Sequence, residues 1–196
     1  YHEHYSYFTV KPLLAYFERL GMELIDVETN PTKGGSMRCT LQLSGGKETV
    51  RETVNQHIAQ EIQMGFHTAN EKKVFKAYQS RIDKGKLEYR DLISGLKRQN
   101  MNICGYGASA TSTTLMYQYR MENDFDYLVD DFEAKHHLFS PGMHVPVFPS
   151  QKIYARMPDY IVILAWRYYE KIIARHQRFL DAGGHFIIPL PELKII

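Results

Sequence analysis

Two stretches carry residue types that can do chemistry. The first is Tyr1-His2-Glu3-His4-Tyr5-Ser6-Tyr7-Phe8, which puts two histidines, a glutamate and three tyrosines into eight positions. An imidazole titrates near neutral pH, and a neighbouring carboxylate can orient it, so the arrangement suits acid–base work on a substrate. The helical His-x-x-x-His spacing of a zinc site is absent, and no metal ligand set is assigned. The second stretch is Asn102-Ile103-Cys104-Gly105-Tyr106-Gly107-Ala108-Ser109-Ala110, an apolar approach, a glycine-punctuated turn and a Ser/Thr-rich helix start. Glycine lets a ligand approach the main chain, and the first turn of a helix aims free N–H groups at an anion, so this turn is a candidate phosphate cradle.

These residues need elements to hold them. Ile103 to Tyr106 reads as a strand, Ser109 to Arg120 as a crossover helix, and Phe125 to Val129 as a second strand ending in Asp130-Asp131. In dinucleotide enzymes an acidic residue at that distance takes a ribose hydroxyl. Val145 to Val147 is a short strand, Tyr160 to Trp166 a buried one, Tyr168 to Leu180 a helix ended by Gly183-Gly184, and Phe186 to Pro189 a last strand. This order predicts an α/β fold, a Rossmann-like doubly wound, mostly parallel sheet.

The first half is simpler. Thr9 is expected to cap a helix carrying Pro12, Leu13, Leu14, Tyr16, Phe17 and Leu20, which Gly21 stops. Met22 to Val27 and Ser36 to Leu43 should form a hairpin around Asn30-Pro31. From Glu48 to Gln99 the pattern is helical, with breaks expected at Gly65 to Asn70 and at Lys84-Gly85. Its apolar stripe, from Val50 and Val54 through Ile62, Met64, Phe75, Tyr78 and Leu87 to Ile93 and Leu96, is expected to pack in a core. His57, His67, His136 and His137 are given no role. The expected organisation is a linking segment over 1–8 and a single α/β domain over 9–196, with the helical stretch of about 48–99 as an insert.

Composition excludes several classes. The 196 residues are 44% hydrophobic and 23% charged, with a net charge of +2, too small for a nucleic-acid footprint. The two cysteines, Cys39 and Cys104, suggest neither a disulfide framework nor a cysteine metal site. No apolar run reaches the roughly 18 residues of a membrane span, so the chain is expected to be cytoplasmic, with neither membrane nor nucleic acid as partner. It begins with Tyr1 inside a patterned motif, which predicts a fragment of a longer protein.

Gly105-Tyr106-Gly107-Ala108-Ser109-Ala110, Val129-Asp130-Asp131 with Lys135, Ser140-Pro141-Gly142-Met143-His144-Val145-Pro146-Val147, Pro158-Asp159-Tyr160 to Ala165-Trp166, and Gly183-Gly184-His185-Phe186-Ile187-Ile188-Pro189-Leu190-Pro191 stand in one order. Together with Gly34-Gly35-Ser36-Met37-Arg38 and the opening motif, they resemble the C-terminal domain of S-adenosylmethionine-dependent sugar C-methyltransferases. The resemblance implies a methyl-donor domain and an N-terminal zinc-binding lobe outside this chain, and a nucleotide-diphosphate keto-deoxysugar as substrate. It places the catalytic base on His4, with Glu3 and Tyr1 beside it, and the diphosphate on Gly105, Tyr106, Gly107, Ala108 and Ser109 with Lys135. Thr111 stands where the family commonly has lysine. Two other readings remain open: a nicotinamide-binding domain of an oxidoreductase and a non-catalytic scaffold.

Overall fold

A computed structural model describes residues 5–196, apart from the side chain of Lys33. The candidate catalytic residues Tyr1, Glu3 and His4 lie outside the described residues. The described chain forms two compact units, 5–80 and 81–196, so the helical stretch of 48–99 divides between them.

The first unit holds α1 (Val10–Arg19), β1 (Met22–Asn30), β2 (Ser36–Leu43) and α2 (Glu52–Gln63). β1 and β2 are the expected antiparallel hairpin, with Met22 opposite Leu43 and Asn30 opposite Ser36. Their core is small. Val10, Leu24, Val27 and Val54 are buried in it, and Leu14, Cys39, Leu41 and Ile58 pack against it. Asp26 is buried on β1 and held by Thr53 and Arg51, whose side chains donate to its two oxygens at 2.6 Å each.

Gly21, at a φ of 71°, ends the first helix as expected. Its start differs from expectation. Thr9 takes the N-cap position, yet its side chain makes no capping bond. The Glu61 carboxylate accepts the N–H groups of Val10 and Lys11 instead. A carboxylate suits that place, because the helix start presents unpaired donors and partial positive charge. His67 completes the clamp, with Nε2 at 2.9 Å from Thr9 Oγ1 and 3.2 Å from Glu61 Oε2. The sequence gives no local sign of a cap that spans fifty residues.

α3 (Glu71–Arg98) follows the expected break at Gly65 to Asn70 and then runs for 28 residues without interruption. Lys84-Gly85 is no break. A side-chain carbon on Gly85 would lie 2.7 Å from the Tyr119 hydroxyl, so glycine serves close helix packing there. The apolar stripe is core only in part: Val54, Ile93 and Leu96 are buried, whereas Phe75 and Tyr78 are 55% and 57% exposed. Val50, Ile62, Met64 and Leu87 are exposed as well.

The second unit is built on β3 (Ile103–Tyr106), α4 (Ala110–Tyr119), β4 (Leu128–Asp130), β5 (Val147–Pro149), α5 (Lys152–Arg156), β6 (Tyr160–Ile163), α6 (Tyr169–Arg175), α7 (Gln177–Asp181), β7 (His185–Ile188) and β8 (Lys194–Ile195). The strands lie in the order β5-β4-β3-β6-β7-β8, and all are parallel except β8. This is the expected Rossmann-like sheet. Alternation along each strand sends Ile103, Leu128, Val162 and Ile187 to the face covered by α3 and α4. Cys104, Val129, Ile161 and Phe186 go to the face covered by α5, α6 and α7. Burial pushes the Cys104 thiol up to about 12, which makes it inert. The expected helix from Tyr168 to Leu180 is two short helices meeting at His176. β8 and α5 were not legible as elements.

The cap yields a prediction. Glu61→Ala should destabilise the first unit by about 1–2 kcal/mol in urea unfolding, the range for loss of a helix cap. Thr9→Ala should cost less, the reverse of what the sequence suggests.

Candidate functional site

The order of strands reverses at β3, which has β4 and β5 on one side and β6 on the other, so a crevice opens beyond its carboxyl end. The glycine turn stands there. Gly107 has a φ of 105°, closed to residues with a side chain, and a carbon added to it would lie 2.7 Å from the Ala165 methyl and 3.0 Å from the Ala165 nitrogen. Its N–H donates to the Val129 carbonyl at 2.8 Å. Gly105 serves packing: a carbon there would meet Leu128 at 2.5 Å and Leu164 at 3.0 Å, inside the core.

The next residues make the cradle. Ala108 donates its N–H to Asp130 Oδ2 at 2.7 Å. Ser109 caps α4 by accepting the Ser112 N–H at 3.1 Å. The first bond of that helix, from the Thr113 N–H to the Ser109 carbonyl, leaves the amides of Ala110 and Thr111 ahead of the ladder. A cavity of about 580 Å³ opens over this start, lined by Ala108, Ser109 and Ala110 and by Thr113, Thr114, Tyr117, Gln118 and Pro141. Gly142, at a φ of 75°, lets the Pro141 loop press on the Tyr117 ring. Backbone donors, hydroxyls, one amide and one ring suit a polar ligand with an anionic end.

Of the six expected substrate contacts, Ala108 and Ser109 line this cavity, and Gly105 and Gly107 shape the backbone behind it. Lys135 is held beside the turn, with Nζ 3.1 Å from Asp130 Oδ2. Asp130 also accepts the Phe132 N–H at 2.9 Å, and its carbonyl accepts from His136 Nε2 at 2.8 Å. His136, given no role from the sequence, therefore has a structural task. The carboxylate expected to take a ribose hydroxyl is committed to the turn.

Tyr106 turns to the opposite face. Its hydroxyl lies 2.9 Å from both Asp131 oxygens and 3.1 Å from His176 Nε2, while the Tyr154 hydroxyl lies 2.8 Å from His176 Nδ1. Arg175 pairs with Asp131. Burial, then Asp131, push the Tyr106 phenol well above its ordinary range. Burial lowers the pKa of His176 from 6.5, against the pull of Asp131 and with help from Arg175. For Asp131, burial acts upward, but hydrogen bonds from Tyr106 and Ser150 and the charge of Arg175 outweigh it and hold the carboxyl below its usual range. His176 was missed in the sequence. The available signal was one imidazole in the apolar stripe of Ile172, Ile173, Phe179 and Leu180.

Among the described residues no group of histidine, cysteine and carboxylate side chains is placed to hold a metal ion, and no helix is long and apolar enough to cross a membrane.

The geometry sets two expectations. Gly107→Ala should cost about 3 kcal/mol, since it combines a left-handed alanine with overpacking against Ala165; chemical denaturation measures it. Because His176 has a folded-state pKa below 6.5, the unfolded chain takes up its proton first, and stability falls as pH drops below about 6.5 until the folded form is protonated as well. His176→Gln should flatten that part of a stability profile taken between about pH 7 and 5.

The family description "C-methyltransferase C-terminal domain" matches residues 31–191, which include the turn, the cavity and the Tyr106 cluster. The C-methyltransferase NovU of Streptomyces niveus is 28% identical over the whole chain, which covers 46% of it. The chain thus spans about half the length of that curated relative. Among solved structures, the UDP-D-quinovosamine 4-dehydrogenase of Vibrio fischeri matches 49% of this chain and 93% of its own at 14% identity, with a TM-score of 0.35.

Proposed function

Because the chain belongs to the family of C-methyltransferase C-terminal domains, we propose that it binds the substrate of an S-adenosylmethionine-dependent C-methyltransferase acting on a nucleotide-linked keto-deoxysugar. The observation that carries this reading is the cavity at the start of α4, lined by Ala108, Ser109 and Ala110, where the first turn of the helix precedes its ladder of bonds and the space is large enough for a nucleotide. The diphosphate sits on the amides of Ala110 and Thr111, with Ser109 beside it. Lys135 adds charge from the Asp130 side, which offsets Thr111 standing where the family commonly has lysine.

S-adenosylmethionine supplies the methyl group and is assigned to a domain outside this chain. The described residues do not fit it: Asp130 is engaged by Ala108, Phe132 and Lys135, and Asp131 by Tyr106 and Arg175, so neither offers the open carboxylate that an adenosyl ribose needs. The zinc-binding lobe that the family resemblance implies is assigned outside this chain in the same way. The chain's own chemistry is proton removal. Carbon is a poor nucleophile until a proton next to the keto group is taken, and His4 takes it, oriented by Glu3. The electron pair then spreads into the carbonyl as an enolate, whose oxygen Tyr1 steadies by hydrogen bonding. Both small molecules are intracellular metabolites, which places the reaction in the cytoplasm.

In the full-length protein, His4→Ala should abolish both methyl transfer and solvent deuterium exchange at the sugar carbon, with nucleotide-sugar affinity retained. Exchange at the normal rate would remove His4 from the role of base. Ser109→Asp separates binding from folding, because aspartate caps a helix as well as serine does but repels an anion. It should weaken thymidine diphosphate binding about tenfold or more by calorimetry, a loss of about 1.4 kcal/mol. Unchanged affinity would move the diphosphate away from this helix start.

A further inference from the structure

Two consecutive carboxylates hold the glycine turn from opposite faces of the sheet. Asp130 grips it through the Ala108 N–H, on the side of the cavity. Asp131 grips it through the Tyr106 hydroxyl, on the side of α6 and α7. The second grip continues inward. An ionised carboxylate only accepts, so the Tyr106 proton points to Asp131, and the phenol oxygen is left to accept from His176 Nε2–H. His176 Nδ1 then has no proton and accepts from the Tyr154 hydroxyl. The bonds run one way, from Tyr154 through His176 and Tyr106 to Asp131, and they lock one tautomer of a buried imidazole. His176 stands at the junction of α6 and α7, so the chain of bonds ties that junction to the residue just before Gly107.

We propose that Tyr154, His176, Tyr106 and Asp131 form a positioning unit that sets the glycine turn, and with it the mouth of the α4 cavity, from the far face of the sheet. The ligand half of this inference rests on the reading that the cavity binds a nucleoside diphosphate. The groups facing His176 are Tyr106 from β3, Asp131 from the end of β4, Tyr154 from α5 and Arg175 beside it. Arg178 of α7 lies over the Tyr154 ring at 5.1 Å, and the Ser150 hydroxyl reaches Tyr106 and Asp131. None of these lines the cavity, so the unit acts through Tyr106.

The test uses Tyr154→Phe, which removes only the hydroxyl at the end of the chain furthest from the turn. In the nitrogen-15-labelled wild type, the His176 ring should show a proton on Nε2 and none on Nδ1 at pH 7. Nδ1 carrying the proton overturns the proposed direction. Amide hydrogen exchange at Gly107 and Ala108 should be about fivefold faster in Tyr154→Phe, the effect of one lost hydrogen bond. Unchanged exchange at both amides overturns the proposal. In a pH titration of the wild type, those amide signals should move with the same midpoint as the ring, and the shared midpoint should shift in Tyr154→Phe. Amides that keep their own midpoint while the ring's moves also overturn it, and if the ring stays neutral throughout, the exchange rates decide.

Thymidine diphosphate separates this inference from the one it rests on. Tyr154→Phe should weaken its binding about fivefold, whereas unchanged affinity with faster exchange overturns the link to the cavity. If the wild-type chain fails to bind it, the nucleotide reading falls, and the exchange and titration arms still judge the positioning unit.

Discussion

The second unit depends on one tight passage. Gly107 threads between the ends of β4 and β6, bonded to Val129 on one side and pressed on Ala165 on the other, in a conformation closed to the other residues. The parallel sheet needs β3 to leave at this point and α4 to start at once, or the crevice at the reversal of strand order would fill with side chains. Ala108, Ser109 and Ala110 reach the cavity because the two glycines before them are shaped for the backbone's path. Gly105 fits inside the core, and Gly107 turns the chain out of it. Glycines that look like a ligand signature thus divide their work, and the cavity-facing part of the motif is the segment after them.

Much of this order was legible in the sequence. Short apolar strands bounded by turns, with helices after Ile103–Tyr106 and after Tyr160–Ile163, point to the parallel sheet, because a strand buried on both faces tolerates little else. The hairpin of the first unit was legible for a related reason: Cys39 and Leu41 alternate with polar neighbours and pack on a core that covers one face only. What the sequence hid depends on contacts between distant residues. Gly85 resembles a helix break, and only the Tyr119 hydroxyl against it shows why α3 continues. Thr9 resembles a cap, but Glu61 arrives from α2 and supersedes it.

The site was legible by position and less so by role. Ser109 and Ala108 line the cavity as the turn suggested, and Lys135 is nearby. Asp130 faces the turn while Tyr106 and Asp131 meet on the opposite side, because consecutive residues at a strand end face opposite ways and so stand in two different clusters. The apolar stripe of the helical stretch shows the same limit. Periodicity marks a face that can be covered, and Phe75 and Tyr78 show that such a face is not always covered within the described residues.

The bond from the Ala108 amide to Asp130 changes how the turn handles anions in general. A carboxylate attached to the same fold, 2.7 Å from that donor, competes for it as an intramolecular group, without the entropy that a dissolved ion loses on binding. Free phosphate, sulfate and chloride are therefore kept off the first amide of the cradle by a resident competitor. The cavity itself lies further along, at the start of α4, where its lining is mostly side chains.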